Sequence, residues 1–201
     1  MPHLPLPAEQ SIDPARRVEG HETGPGIVRN PDVLVVGGVA VDVSCDYVPP
    51  SSTSTPTLHT SNPSRITESL GGVANNVAYA MHLSGTKAKL ISCVGADIAG
   101  RWVLEQVRTR GMDTSGITTS KTYSTARYVA VNDSSGGLFI ASADMEVIDQ
   151  MSASQITSEI SSSGAGWVCI DGNLSGETIV EVLRYCSKRE IKGPPHHSSL
   201  R

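Results

Sequence analysis

The chain has 201 residues, 38% of them hydrophobic and 4% aromatic, and a formal net charge of -4 from 16 Lys+Arg against 20 Asp+Glu. That length holds one domain with a real core and is short for two. No basic block gives nucleic-acid binding an electrostatic footprint, and no apolar run approaches the roughly 20 residues that span a bilayer.

In chain order, residues 1–31 are rich in Pro, Gly and charge and read as a tail or an interdomain linker. Their start, "MPHLPLPAEQSIDPARR", lacks the charged and apolar regions of a secretory signal. Order begins at "PDVLVVGGVAVDVSCDY", where "VLVV" suits a buried central strand. Beyond Gly37-Gly38 the residues alternate, with Val39, Val41 and Val43 on one face and Ala40, Asp42 and Ser44 on the other. A strand that leaves the core and turns one polar face to a cavity has this pattern. "VPPSSTSTPTLHTSNPS" reads as a mobile loop. In "SLGGVANNVAYAMHLSG", Val77, Ala78, Ala80 and Met81 stand at helical spacing from Val73, and Gly85 is a stop.

"KAKLISCVG" is the next strand, and "DIAGRWVLEQVRTRG" a helix capped by Asp97. "TARYVAVND" and "LFIASAD" flank a Gly-containing turn and predict a hairpin. A weakly apolar helix, "SASQITSEISSSG", precedes a buried strand, "WVCIDG". An amphipathic helix follows, capped by Ser175, with Ile179, Val182, Leu183 and Cys186 on one side. "REIK" begins like another strand, but "GPPHHSSLR" breaks it off, and residues 193–201 read as a tail. The alternation of strands and helices predicts an α/β fold with a mainly parallel sheet, the hairpin forming a separate small sheet or flap. Cys45, Cys93, Cys169 and Cys186 form no CxxC and three lie in or beside apolar runs, which predicts reduced thiols and a cytoplasmic location.

Ligands of open parallel sheets bind beyond the carboxyl ends of the strands. Asp42, Gly71-Gly72 and Asp171-Gly172-Asn173 are therefore expected at one rim. Glycines let backbone approach a ligand, a helix start offers unpaired N–H groups, and an Asn there both donates and accepts. Gly71, Gly72, Asn75 and Asn76 thus read either as a sugar-binding bend or as an ordinary helix-capping turn. Asp42 reads as an acceptor for two neighbouring hydroxyls or as a solvated turn residue. Asp171 and Asn173 read as substrate contacts or as caps of the next helix. Thr125, Arg127, Tyr128, Asn132, Asp144 and Met145 lie on the flap, which could close over a substrate; for Arg127 an ordinary surface position is the simpler reading. The phosphate-binding GxxxxGK[ST] loop, HExxH and GxSxG are absent, and the G-x-G of "GPGIVR" precedes any strand, which argues against a dinucleotide-binding fold. His82 falls within a helix and reads as a surface or packing residue.

Three segments together resemble the N-terminal two-thirds of a ribokinase-like (PfkB) carbohydrate kinase. They are "VLVVGGVAVDV", the run from "GGVANN" to "MDTSGI", and "TARYVAVNDSSGGLFIASADM". Within that family, "GGVANN", "ASADM" and "CIDGNLS" look most like pseudouridine kinases, which in fungi and animals can be fused to a glycosidase; residues 1–31 would suit such a junction. The resemblance spans roughly residues 33–192. It implies a parallel αβα sandwich with a small β lid, often used for homodimerisation, and transfer of the ATP γ-phosphate to a sugar hydroxymethyl group. It implies that Asp42, Gly71, Gly72 and Asn76 hold the sugar while Thr125, Asp144 and Asp171 complete the pocket. The family's Gly-Ala-Gly-Asp segment, with the catalytic aspartate, its ATP loops and its Asn-x-x-Glu magnesium motif do not occur here. Residues 32–192 therefore read as the N-terminal portion of the kinase domain, the C-terminal part being missing, and the isolated chain as inactive. The break at "KGPPHHSSLR" resembles translation into an intron or a shifted frame. The readings are a sugar or nucleoside kinase carrying mainly its substrate-binding half, or an inactive fragment that acts as a binding or dimerisation module.

Overall fold

The computed structural model describes residues 27–49 and 55–191. Residues 1–26 of the tail read at 1–31, the tail read at 193–201, and residues 50–54 of the Ser/Thr/Pro loop lie outside the described residues.

Four parallel strands form the central sheet, in the order β5 (Ile117–Ser120), β4 (Ala88–Gly95), β1 (Val33–Val36), β8 (Trp167–Ile170). Helices α1 (Val73–Leu83) and α2 (Ile98–Thr109) cover one face. Helices α3 (Glu146–Asp149), α4 (Ala153–Ser163) and α5 (Gly176–Lys188) cover the other. Strand alternation decides which side chains meet which layer. Val35, Leu90 and Val94 pack with Ala78, Val103 and Val107, whereas Leu34, Val36, Ile91 and Val168 pack with Ile156, Ile160 and Val182. Sheet and helices make the αβα sandwich that the resemblance implies, around the parallel sheet that the alternation of elements predicts.

The caps form where the sequence places them. Asp97 accepts from Gly100 N and Ser175 from Thr178 N. Ser152 and Gln155 form a reciprocal capping box at the start of α4. On α5, Val182 and Cys186 are buried, but Leu183, assigned above to the apolar side, is 38% exposed. All four cysteines are free thiols, two buried and two half-buried.

A second sheet stands over the first. Its order is β3 (Ser64–Gly71), β2 (Ala40–Tyr47), β6 (Arg127–Asn132), β7 (Leu138–Asp144). Strand β2 runs antiparallel to β3 and parallel to β6, and the predicted hairpin β6–β7 completes the sheet. The hairpin is thus half of a four-stranded lid. The structure corrects the reading of residues 48–64 as a loop at its end, since β3 begins at Ser64. The part of the loop from residue 55 is tied by Asn62, whose side chain accepts from Thr57 N at 2.8 Å and donates to Thr57 O at 2.9 Å.

Candidate functional site

The site lies beyond the carboxyl ends of β1 and β8, where the lid springs from the sandwich. After β1 the chain crosses Gly37-Gly38 into β2, bringing Ala40 and then Asp42 to the lid face turned toward the body. Antiparallel pairing sets Ala40 opposite Gly71 and Asp42 opposite Ser69. A Cβ on Gly71 would overlap the Asp42 carboxylate, so only glycine leaves that carboxylate its place. Gly72 has φ 96° and abuts the Gly38 carbonyl, and the chain turns there from β3 directly into α1.

Between these parts lies a cavity of about 230 Å3. Asp42, Gly72, Val73 and Asn76 line one side, Tyr128 comes from lid strand β6, Met145 from the junction of β7 and α3, and Asn173 from the turn after β8. Tyr128 is level with Asp42 across the parallel pair, which places carboxylate and phenol ring side by side on the lid. Burial pushes the Asp42 carboxyl above its ordinary range. A half-buried carboxylate beside an aromatic ring and an Asn amide suits a polyhydroxylated ring better than an anion.

Three residues expected to complete the pocket, Asp171, Thr125 and Asp144, lie outside the lining of this cavity. Asp171, 6% exposed, is a brace under the cavity floor. Its carboxylate accepts from Gly38 N at 3.1 Å and Ala74 N at 3.3 Å. It also accepts from the Asn173 backbone at 3.0 Å and the Asn173 side chain at 2.8 Å. It thereby ties β1, α1 and the end of β8, and Ser175, not Asp171, caps α5. Thr125 is fully buried in a clip: its Oγ1 accepts from Gly95 N at 2.9 Å and donates to Asp97 Oδ1 at 2.7 Å. Asp144 is exposed opposite Arg127 at the end of the lid pair, while its neighbour Met145 lines the cavity. Of the seven predicted site residues, Asp42, Gly72 and Asn76 line the cavity, and Gly71 backs the Asp42 carboxylate. Gly38, Ala40, Val73 and Ile148 line the cavity without having been anticipated. They are small or apolar wall residues, which no chemical motif announces.

The positive end of α1 is already used. Ala74 N gives to Asp171 and Asn75 N to the Gly38 carbonyl, so those N–H groups are not open to a phosphate. Among the described residues, no group of three or more His, Cys, Asp or Glu side chains could hold a metal ion. The tripeptide Gly164-Ala165-Gly166 leads into strand β8, not into a helix, and is followed by Trp167. Among the described residues, neither the start of α1 nor a cluster of three carboxylates therefore offers a site to ATP or magnesium. No helix among the described residues is long and apolar enough to cross a membrane.

The model of the pfkB family of carbohydrate kinases matches residues 30–188. The chain belongs to this family. Its fold is accordingly the ribokinase-like α/β fold with a β lid. A pseudouridine-metabolizing bifunctional protein of Schizosaccharomyces pombe is 30% identical over 159 residues, covering 79% of this chain and 21% of that protein. A pseudouridine kinase of Escherichia coli is 28% identical over 152 residues, covering 75% of this chain and 47% of that enzyme. A carbohydrate kinase from Agrobacterium tumefaciens superposes with a TM-score of 0.67 at 26% identity, covering 80% of this chain and 52% of that structure. The chain thus spans about half the length, or less, of the pfkB relatives it matches.

Proposed function

We propose that this chain is the substrate-holding half of a pfkB-type kinase acting on the hydroxymethyl group of a sugar or nucleoside, pseudouridine first among them. The observation that carries the reading is the Asp42 carboxylate set against Gly71, with Tyr128 beside it and Asn76 lining the same cavity of about 230 Å3. An ionised carboxylate accepts from both hydroxyls of a ribose diol, and the phenol ring offers a planar base or a sugar face its apolar surface. Two pseudouridine-metabolizing relatives support the nucleoside over a free hexose. ATP is the phosphate donor of the whole kinase and magnesium its counter-ion. The isolated chain, in the cytoplasm, binds substrate without turning it over, since phosphoryl transfer rests on positioning and charge neutralisation.

Purified chain with ATP, magnesium and pseudouridine tests this. Substrate binding without product is expected. Sustained turnover would refute the inactive half, and failure to bind any of pseudouridine, uridine, adenosine or ribose would refute the site.

A second reading is favoured by the lid's outer strand. Leu138, Phe139 and Ile140 of β7 are 60%, 40% and 59% exposed, and among the described residues β7 pairs on one side only. On this reading the lid also joins two copies of the chain, or this chain and a longer relative, as a dimerisation module.

A further inference from the structure

Asn75 is 0% exposed, in the first turn of α1, among Ala74, Ala78 and the neighbouring core. An apolar side chain there would pack without desolvating an amide, so a buried Asn is costly unless its hydrogen bonds serve something. Its Nδ2 donates to Asn76 Oδ1 at 3.2 Å, and its own Oδ1 has no partner. Asn76 is exposed and lines the cavity with Asp42. The pair therefore has one buried member that holds the carbonyl end of its exposed neighbour.

We infer that Asn75 is a positioning residue: it fixes the polarity of the Asn76 amide, so that the cavity meets a ligand with N–H donors from α1 and a carboxylate acceptor from β2. The two ends of a carboxamide differ only in which atom is tied. With its oxygen held by Asn75, Asn76 turns its NH2 outward and demands a lone pair from the ligand. A hydroxyl supplies that lone pair and still donates to Asp42, whereas an ammonium donates only. The site thus selects a neutral hydroxyl over an amine, although the Asp42 charge alone would prefer the cation. This inference rests on the cavity being the substrate site.

The experiment compares wild type, Asn75→Leu, Asn76→Ala and the double variant. Each is titrated calorimetrically with a nucleoside and with its amino-deoxy ribose analogue. Asn75→Leu is expected to weaken the nucleoside roughly three- to tenfold, the worth of one neutral hydrogen bond, and to shift the preference toward the amine. In the Asn76→Ala background the Leu substitution should change neither affinity. Equal losses in both backgrounds would make Asn75 a merely structural residue and overturn the inference. Asn75→Ser, which keeps a donor, should restore part of the discrimination; no recovery counts against it. A readout independent of any ligand is the side-chain NH2 resonance of 15N-labelled Asn75, which should move on Asn76→Ala. If wild type binds neither ligand, the substrate-site reading fails. The NH2 resonance then still decides the pairing, and a resonance indifferent to Asn76 overturns it.

Discussion

At the scale of single residues, the site is held in an unfavourable state. Burial raises the Asp42 carboxyl above its ordinary range, so at neutral pH its charge costs stability, and the cost is relieved as pH falls through the raised value. Asp42→Asn should therefore leave the melting temperature at pH 7 unchanged or higher while weakening nucleoside binding, by about tenfold or more for a charge-assisted hydrogen bond. Scanning fluorimetry with calorimetric titration checks both; a lower melting temperature together with intact binding would contradict the assignment. Gly71→Ala puts a methyl group into the Asp42 carboxylate. That carboxylate is the tip of a rotatable side chain and can swing aside, so the stability read by chemical denaturation should change by no more than about 1 kcal/mol while nucleoside binding weakens as in Asp42→Asn. Asp42 and the Gly71–Asn76 bend were readable in the sequence because their residue types are unusual at a strand tip and a helix start. The roles of Thr125 and Asp171 were not. Their partners are backbone N–H groups of Gly38, Ala74 and Gly95, and backbone groups leave no trace in a one-dimensional pattern.

At the scale of elements, the lid is joined to the sandwich by a clip at the start of β6. Asp97 caps α2 through Gly100 N at 2.7 Å, and its other oxygen takes Thr125 N at 2.9 Å. Burial opposes the Asp97 charge, but the hydrogen bonds from Thr125 and Gly100 and the nearby Arg127 together hold its carboxyl below the usual range. Its stabilisation is complete above the ordinary carboxylate range and is lost as pH falls through the lowered value. Asp97→Ala should cost about 1–2 kcal/mol as a lost cap, and should flatten the acid limb of a plot of stability against pH. An unchanged acid limb would remove Asp97 from the account. Long apolar elements, such as α2 with Val103 and Val107, were plain in the sequence because their periodicity repeats over three turns. Strand β3 was missed because its middle five residues are exposed on both faces, leaving no alternation to see. Strand β5 has four residues and only Ile117 buried, and α3 is a single turn.

At the scale of the whole molecule, β8 and β7 are two of the four edge strands among the described residues. Within the described residues β8 pairs only with β1, and its first residue, Trp167, is 42% exposed. Strand β7 of the lid carries Leu138 and Ile140 toward solvent. Unpaired apolar edges invite strand addition. If the lid is the dimer contact, Ile140→Lys should convert a dimer to a monomer in analytical ultracentrifugation, and Trp167→Lys should not. A dimer that survives Ile140→Lys would move the contact elsewhere.

The central claim is that Asp42 and the bend from Gly71 to Asn76 hold a hydroxylated ring. Its most direct test is an amide 15N–1H titration of the chain with pseudouridine, without nucleotide or magnesium. The account predicts saturable shifts concentrated at Asp42, Gly72 to Asn76, Tyr128 and Asn173, and their loss in Asp42→Asn. Shifts gathered at the opposite ends of the strands, around Lys87 and Gly111, or the same shifts in Asp42→Asn, would contradict it.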